Sequence, residues 1–250
     1  MLERVINMQK MILIGGGETG RGNKPYETKE FDQEAVRLTG KERPTFLFIG
    51  LASSFSDSYY DTMKKVYQDL GCETIYLKKK NIKNNPDIVK NKIAKADIIY
   101  FCGGDSLKLI NDIKEYHLDS LLKEALDRGC VMVGMSAGAI LLSKEGFSDS
   151  LILEGKSDRY SFVEGLNFLP ISFCPHYVKG SQKDIELQEE IGNRYVLACD
   201  DQTGIEIVGD KVRIIKSNKE KKVNICYVKE KFLVDEIKES DWYSLNKIIK

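Results

Sequence analysis

The sequence predicts an α/β protein: a three-layer sandwich whose mainly parallel sheet is flanked by helices and followed by C-terminal antiparallel hairpins. Three observations lead there. Short apolar runs rich in β-branched residues recur through the first half of the chain, and they are continuous rather than alternating, as in strands buried on both faces. Segments of helical period separate them, and strand–helix–strand repetition implies parallel strands joined by crossover helices. In the last part of the chain the pattern changes to short strands set off by turn residues.

The strands are expected at Lys10 to Ile14, Thr45 to Leu51, Thr74 to Leu77, Asp97 to Cys102 and Cys130 to Gly134. The clearest helix is Asp57 to Leu70. Tyr59, Met63, Val66, Tyr67 and Leu70 fall on one face, and Gly71 stops it. Ser106 to Tyr116 and Asp119 to Arg128 follow, the second closed by Gly129. Tyr195 to Cys199, Gly204 to Val208 and Lys211 to Ile215 are short strands, with Gly209-Asp210 as the hairpin turn between the last two. Val223 to Val228 and Lys231 to Ile237 form a further antiparallel pair, and a helix is expected around Trp242 to Ile249. A chain of 250 residues with no low-complexity linker and no repeat is read as one domain.

Composition narrows the function classes. Lys plus Arg and Asp plus Glu are both 38, so nothing directs the surface towards nucleic acid or an anionic membrane. No apolar run approaches the roughly 20 residues of a membrane helix, and the N-terminus lacks the apolar region of a signal peptide. Cys72, Cys102, Cys130, Cys174, Cys199 and Cys226 form no C-x-x-C pair, and several sit in apolar runs, which suits buried reduced thiols. A cytoplasmic location is the expectation.

The decisive segment is Cys130-Val-Met-Val-Gly-Met-Ser136-Ala-Gly-Ala. A buried strand runs into G-x-S-x-G and an Ala-rich helix start follows, the context in which a sharp turn lifts a nucleophilic serine out of the sheet's carboxyl edge. A serine needs a base. Of the two histidines, His117 lies between two helices, whereas His176 follows a short apolar strand ending at Pro175, where a loop would present an imidazole. The third group should orient that imidazole. Asp149, in Phe147-Ser-Asp-Ser150, gives the order Ser, Asp, His of other elbow hydrolases, and Glu154 is the reserve. An oxyanion needs two backbone N–H donors: Ala137 after the nucleophile, and Gly104 in the Gly103-Gly104 turn that follows the fourth strand.

Gly15-Gly-Gly17-Glu-Thr-Gly20 fits a dinucleotide fingerprint in letters, but no helix opens at once to hold a pyrophosphate, so these glycines are read as a loop at the rim of the site. Two distant histidines do not build a zinc site, and neither a metal nor another cofactor is expected.

These pieces together resemble the peptidase E family of serine peptidases, the aspartyl dipeptidases related to cyanophycinase. The matching segments are Ile14-Gly-Gly-Gly-Glu18, Tyr100-Phe-Cys-Gly-Gly-Asp105, Gly134-Met-Ser-Ala-Gly-Ala139, Phe147-Ser-Asp-Ser150 and Phe173-Cys-Pro-His-Tyr177, in the family's order. The resemblance implies a fold similar to class I glutamine amidotransferases, with serine in place of cysteine. It also implies Ser136 as nucleophile, His176 as base, Asp149 as acid at a slightly different spacing, and dipeptides with an N-terminal aspartate as substrates. Arg159 and Arg194 are candidates for a substrate carboxylate, and Asp200 and Asp201 for a peptide's free amine. The expected partner is a small peptide, with a homodimer as one option for assembly. The competing readings are an esterase or amidase for non-peptide substrates and a non-catalytic binding protein.

Overall fold

The computed structural model describes residues 9–54, 56–239 and 242–248. Two sheets organise them. Five parallel strands form the heart of the first: β1 (Lys10–Ile14), β2 (Thr45–Ile49), β3 (Glu73–Leu77), β4 (Ile98–Phe101) and β5 (Val131–Met135). Helices α1 (Lys29–Thr39), α2 (Ser56–Asp69), α3 (Lys79–Asn84), α4 (Pro86–Lys95), α5 (Ser106–Glu115) and α6 (Leu118–Asp127) connect them. After β5 the short α7 (Ala137–Leu142) carries the chain into a second sheet. It begins with β6 (Ser143–Ser148), the single-turn α8 (Ser150–Leu153), β7 (Ser161–Glu164) and β8 (Leu169–Cys174). It continues through α9 (Gln182–Glu190) to β9 (Val196–Cys199). Next, β10 (Thr203–Val208) and β11 (Lys211–Lys216) return to the first sheet, and β12 (Val223–Val228) and β13 (Phe232–Glu236) to the second.

The first sheet is ordered β11-β10-β1-β5-β4-β2-β3, with β10 antiparallel to both its neighbours, β1 and β11. β1, β2, β4 and β5 are buried almost throughout, as their unbroken apolar runs require. In α2, Tyr59, Met63 and Tyr67 are buried, and Gly71 ends the helix at φ +88° with its N–H on the Gln68 carbonyl. The second sheet, ordered β13-β12-β9-β8-β6-β7, has β6, β8 and β9 parallel. The two late hairpins therefore go to different sheets. The expected C-terminal helix is replaced by a two-residue strand, β14 (Tyr243–Ser244), and a 3-10 turn at Leu245–Lys247; Ile249 lies outside the described residues. The reason is pairing. Val212 and Lys211 on the sheet edge take Tyr243 and Ser244 as partners, and so short a segment has little helical stability of its own.

One buried charge in this fold has a measurable consequence. Asp32 on α1 is 0% exposed and accepts from Tyr26 Oη, Thr28 Oγ1 and Tyr67 Oη, each at 2.9 Å. Burial outweighs those three donors and pushes the carboxyl up to about 6. A raised folded-state value favours the protonated form. Its stabilising contribution is therefore full below the unfolded value and is lost as pH rises through about 6. Thermal unfolding between pH 4 and 6.5 should show stability falling with pH from this group by on the order of 3 kcal/mol. Asp32→Asn should flatten that slope; an unchanged slope would refute the assignment.

Candidate active site

The site is assembled where the carboxyl ends of both sheets meet. Ser136 follows β5, the Gly103-Gly104 turn follows β4, and the Gly15–Gly17 loop follows β1, all on adjacent strands. His176 follows β8 and Asp201 follows β9, adjacent parallel strands of the second sheet.

Ser136 sits at φ +51°, ψ −108°, a backbone region that L-residues seldom occupy and that surrounding packing must enforce. That packing is close. A Cβ on Gly134 would lie 2.3 Å from the Gly138 carbonyl oxygen, and one on Gly138 would lie 2.3 Å from that of Phe101. Both glycines of the motif are therefore sterically obligatory, and the bend between them turns the serine hydroxyl out of the sheet. It meets the imidazole of His176, Oγ to Nε2 at 2.8 Å. On the other side Nδ1 lies 2.5 Å from Asp201 Oδ1. A carboxylate only accepts, so Nδ1 carries the proton and Nε2 is left free to accept from the serine hydroxyl. Burial raises the Asp201 carboxyl, but the His176 hydrogen bond and charge, helped by Lys221 and Lys183, hold it below its ordinary value.

The Gly15–Gly17 loop ties the three carriers together. The Ile14 carbonyl accepts from Ser136 N at 2.9 Å, the Gly15 carbonyl from His176 N at 3.1 Å, and the Gly16 carbonyl from Gln202 N at 2.9 Å. Gly16 presses so closely on the pair that a Cβ there would stand 2.0 Å from Asp201 Oδ1 and 2.3 Å from His176 Cε1. The rim loop expected from the sequence is thus the inner wall of the site. Lys183, nearly buried, supports the histidine from beneath by donating to the Pro175 carbonyl at 2.9 Å.

The profile of peptidase family S51 matches residues 11–215. The chain belongs to peptidase family S51. It is 30% identical over 208 residues to the uncharacterized peptidase YgaJ of Bacillus subtilis, covering 82% of this chain and 86% of that one. It is 27% identical over 213 residues to peptidase E of Shewanella denitrificans, covering 80% of this chain and 85% of that protein. In fold it is similar to a peptidase from an acI-B1 Actinobacterium (TM-score 0.71, 20% identity, 96% of this chain and 98% of that one). A putative peptidase E from Listeria monocytogenes also superposes (TM-score 0.63, 21% identity, 84% of this chain and 98% of that one).

In this S51 peptidase the acid expected at position 149 is displaced. Asp149 follows β6 and makes no hydrogen bond as a cap of α8, whereas the carboxylate on His176 belongs to Asp201. Glu154 pairs with Lys156 at 2.8 Å. The physical reason is strand pairing: β8 and β9 lie side by side, so the turns after them face each other. The sequence did contain the signal, an Asp200-Asp201 turn directly after a buried strand. Asp200 serves that turn, accepting from Lys222 N at 3.0 Å.

Ser136, His176, Gly103 and Gly104 do converge. A Cβ on Gly103 would be 3.4 Å from Ser136 Cβ, and Gly104, at φ +139°, is wedged beneath Ala52. Neither Gly104 N–H nor Ala137 N–H donates to another of the described residues. Arg159 pairs with Glu189, and Arg194 donates to Glu145 at 2.9 Å while lying over Phe162. His117 is an exposed residue at the start of α6, and the imidazole on Ser136 Oγ is that of His176. The six cysteines are unpaired and buried; burial pushes Cys102, Cys130 and Cys174 up to about 12, out of the range of a ready nucleophile.

Proposed function

We propose that the chain is a serine-type peptidase that hydrolyses short peptides, dipeptides with an N-terminal aspartate above all, through an acyl-enzyme on Ser136. The observation that carries this reading is the unbroken run of contacts from Ser136 Oγ through the His176 ring to Asp201. His176 Nε2 takes the hydroxyl proton as Oγ attacks the scissile carbonyl, and Asp201 steadies the imidazolium that forms. The N–H groups of Ala137 and Gly104 receive the oxyanion. His176 then passes its proton to the leaving amine, and a water activated by the same imidazole releases the acyl group.

The substrate class is supported by the likeness to proteins named peptidase E. The reading extends to a cytoplasmic setting, which six unpaired cysteines suit. Among the described residues no helix is long and apolar enough to cross a membrane. A panel of aspartyl dipeptides, other dipeptides, longer peptides and small esters tests the proposal. Fastest cleavage of the aspartyl dipeptides is expected. Preference for esters, or no turnover of any peptide, would overturn it.

A further inference from the structure

The segment Phe147-Ser148-Asp149-Ser150 draws attention to its carboxylate, yet its two serines are what the structure uses. Ser150 is 0% exposed and Ser148 2%. Ser150 Oγ accepts from the backbone N–H of Ser106 at 3.0 Å and of Leu107 at 3.1 Å, the first two residues of α5. Its own proton goes to Ser148 Oγ at 2.9 Å, which also accepts from Ser150 N at 3.1 Å and donates to Ser106 Oγ at 3.1 Å. All three hydroxyls in this set are hydrogen-bonded. The side chain of Asp105, the cap residue of α5, accepts from Lys108 N at 3.1 Å, one turn further in. The N–H groups of Ser106 and Leu107, which the helix cannot satisfy itself, are therefore capped by a side chain from α8.

The start of α5 is the far end of the Gly103-Gly104 turn. On its near side Asp105 N donates to the Ala52 carbonyl at 3.0 Å, and Gly104 is wedged under the same residue. The turn that faces Ser136 is thus held between Ala52 and Ser150. We infer that Ser150, supported by Ser148, is a positioning residue for the oxyanion-binding turn of Gly103 and Gly104. This rests on the serine-hydrolase reading above. Loss of the cap lets the first turn of α5 shift, and a shift of about 1 Å in a donor is enough to weaken its hold on the transition state.

The test compares wild type, Ser150→Ala, Ser150→Cys and Ser136→Ala on an aspartyl dipeptide and on a peptide aldehyde that mimics the oxyanion. Cysteine keeps the volume but accepts hydrogen bonds weakly, so it remains informative if the alanine variant does not fold. Both Ser150 variants should lose kcat by about 10- to 100-fold with KM within about twofold, and affinity for the aldehyde should fall in parallel with kcat. A folded variant at wild-type kcat, or one altered in KM alone, overturns the inference. A wild type that neither turns over peptide nor labels with a fluorophosphonate overturns the hydrolase reading, and the inference with it.

Discussion

Ser136→Ala should abolish peptide hydrolysis and leave the fold untouched. Alanine keeps the Cβ, so the strained backbone at φ +51° is carried as before, and the Ser136 N to Ile14 carbonyl bond at 2.9 Å does not involve the hydroxyl. Ser136 is half-buried, and its hydroxyl bonds to the His176 ring rather than to the core. The melting temperature should therefore stay within about 2 °C of wild type, since the substitution touches none of the mechanisms that give large destabilisation. The rate is another matter. With the nucleophile gone only substrate binding and the two oxyanion donors remain, and kcat should fall by about 10⁵- to 10⁶-fold. His176→Ala should give a loss of similar size, and the double variant little more, because the residues act as a unit. Dipeptide hydrolysis together with fluorophosphonate labelling checks this. Labelling of Ser136→Ala at the wild-type rate would show that another residue is the nucleophile.

Much of this arrangement was legible in the sequence because it is written in local signals. The continuous apolar runs located the five parallel strands of the first sheet to within a few residues. Gly134 and Gly138 predicted the bend at Ser136 through sterics that hold whatever surrounds it. The loop histidine after Pro175 could be chosen because there was only one rival. What stayed hidden depends on which strands lie together. Nothing local to β8 or β9 says that they are neighbours in a second sheet, and without that pairing the turn at Asp201 has no reason to face His176. Chain order was a poor guide: the three groups follow one another as Ser, His, Asp, so an acid sought between Ser136 and His176 could not be the right one. The C-terminal segment failed for a related reason, since the edge of the first sheet, not local propensity, decides the state of Tyr243 and Ser244.

The two aspartates give the sharpest contrast. Asp201→Asn preserves the side chain's shape but removes the charge opposite Nδ1 and offers an amide that can donate as well as accept. When the amide N–H₂ faces the ring, Nδ1 becomes the acceptor and the proton moves to Nε2, the wrong tautomer for taking the serine's proton. When the oxygen faces it, the imidazolium formed in the transition state is no longer stabilised by a carboxylate. A fall in kcat of about 10⁴-fold is expected, the size seen when an orienting aspartate is amidated in an otherwise intact triad. Asp149→Asn, by contrast, alters a half-buried carboxylate that caps nothing, and kcat should stay within about threefold of wild type. The stability profile separates them as well. Asp201 is held below its ordinary value in the folded protein, so it stabilises above the unfolded value and loses that contribution as pH falls through the folded one. Asp201→Asn should therefore narrow the stability difference between neutral and acid solution, and rates measured beside thermal melts from pH 3 to 7 check both claims at once. A large loss in Asp149→Asn with Asp201→Asn near wild type would reverse the assignment and mean that the chain closes differently around its substrate.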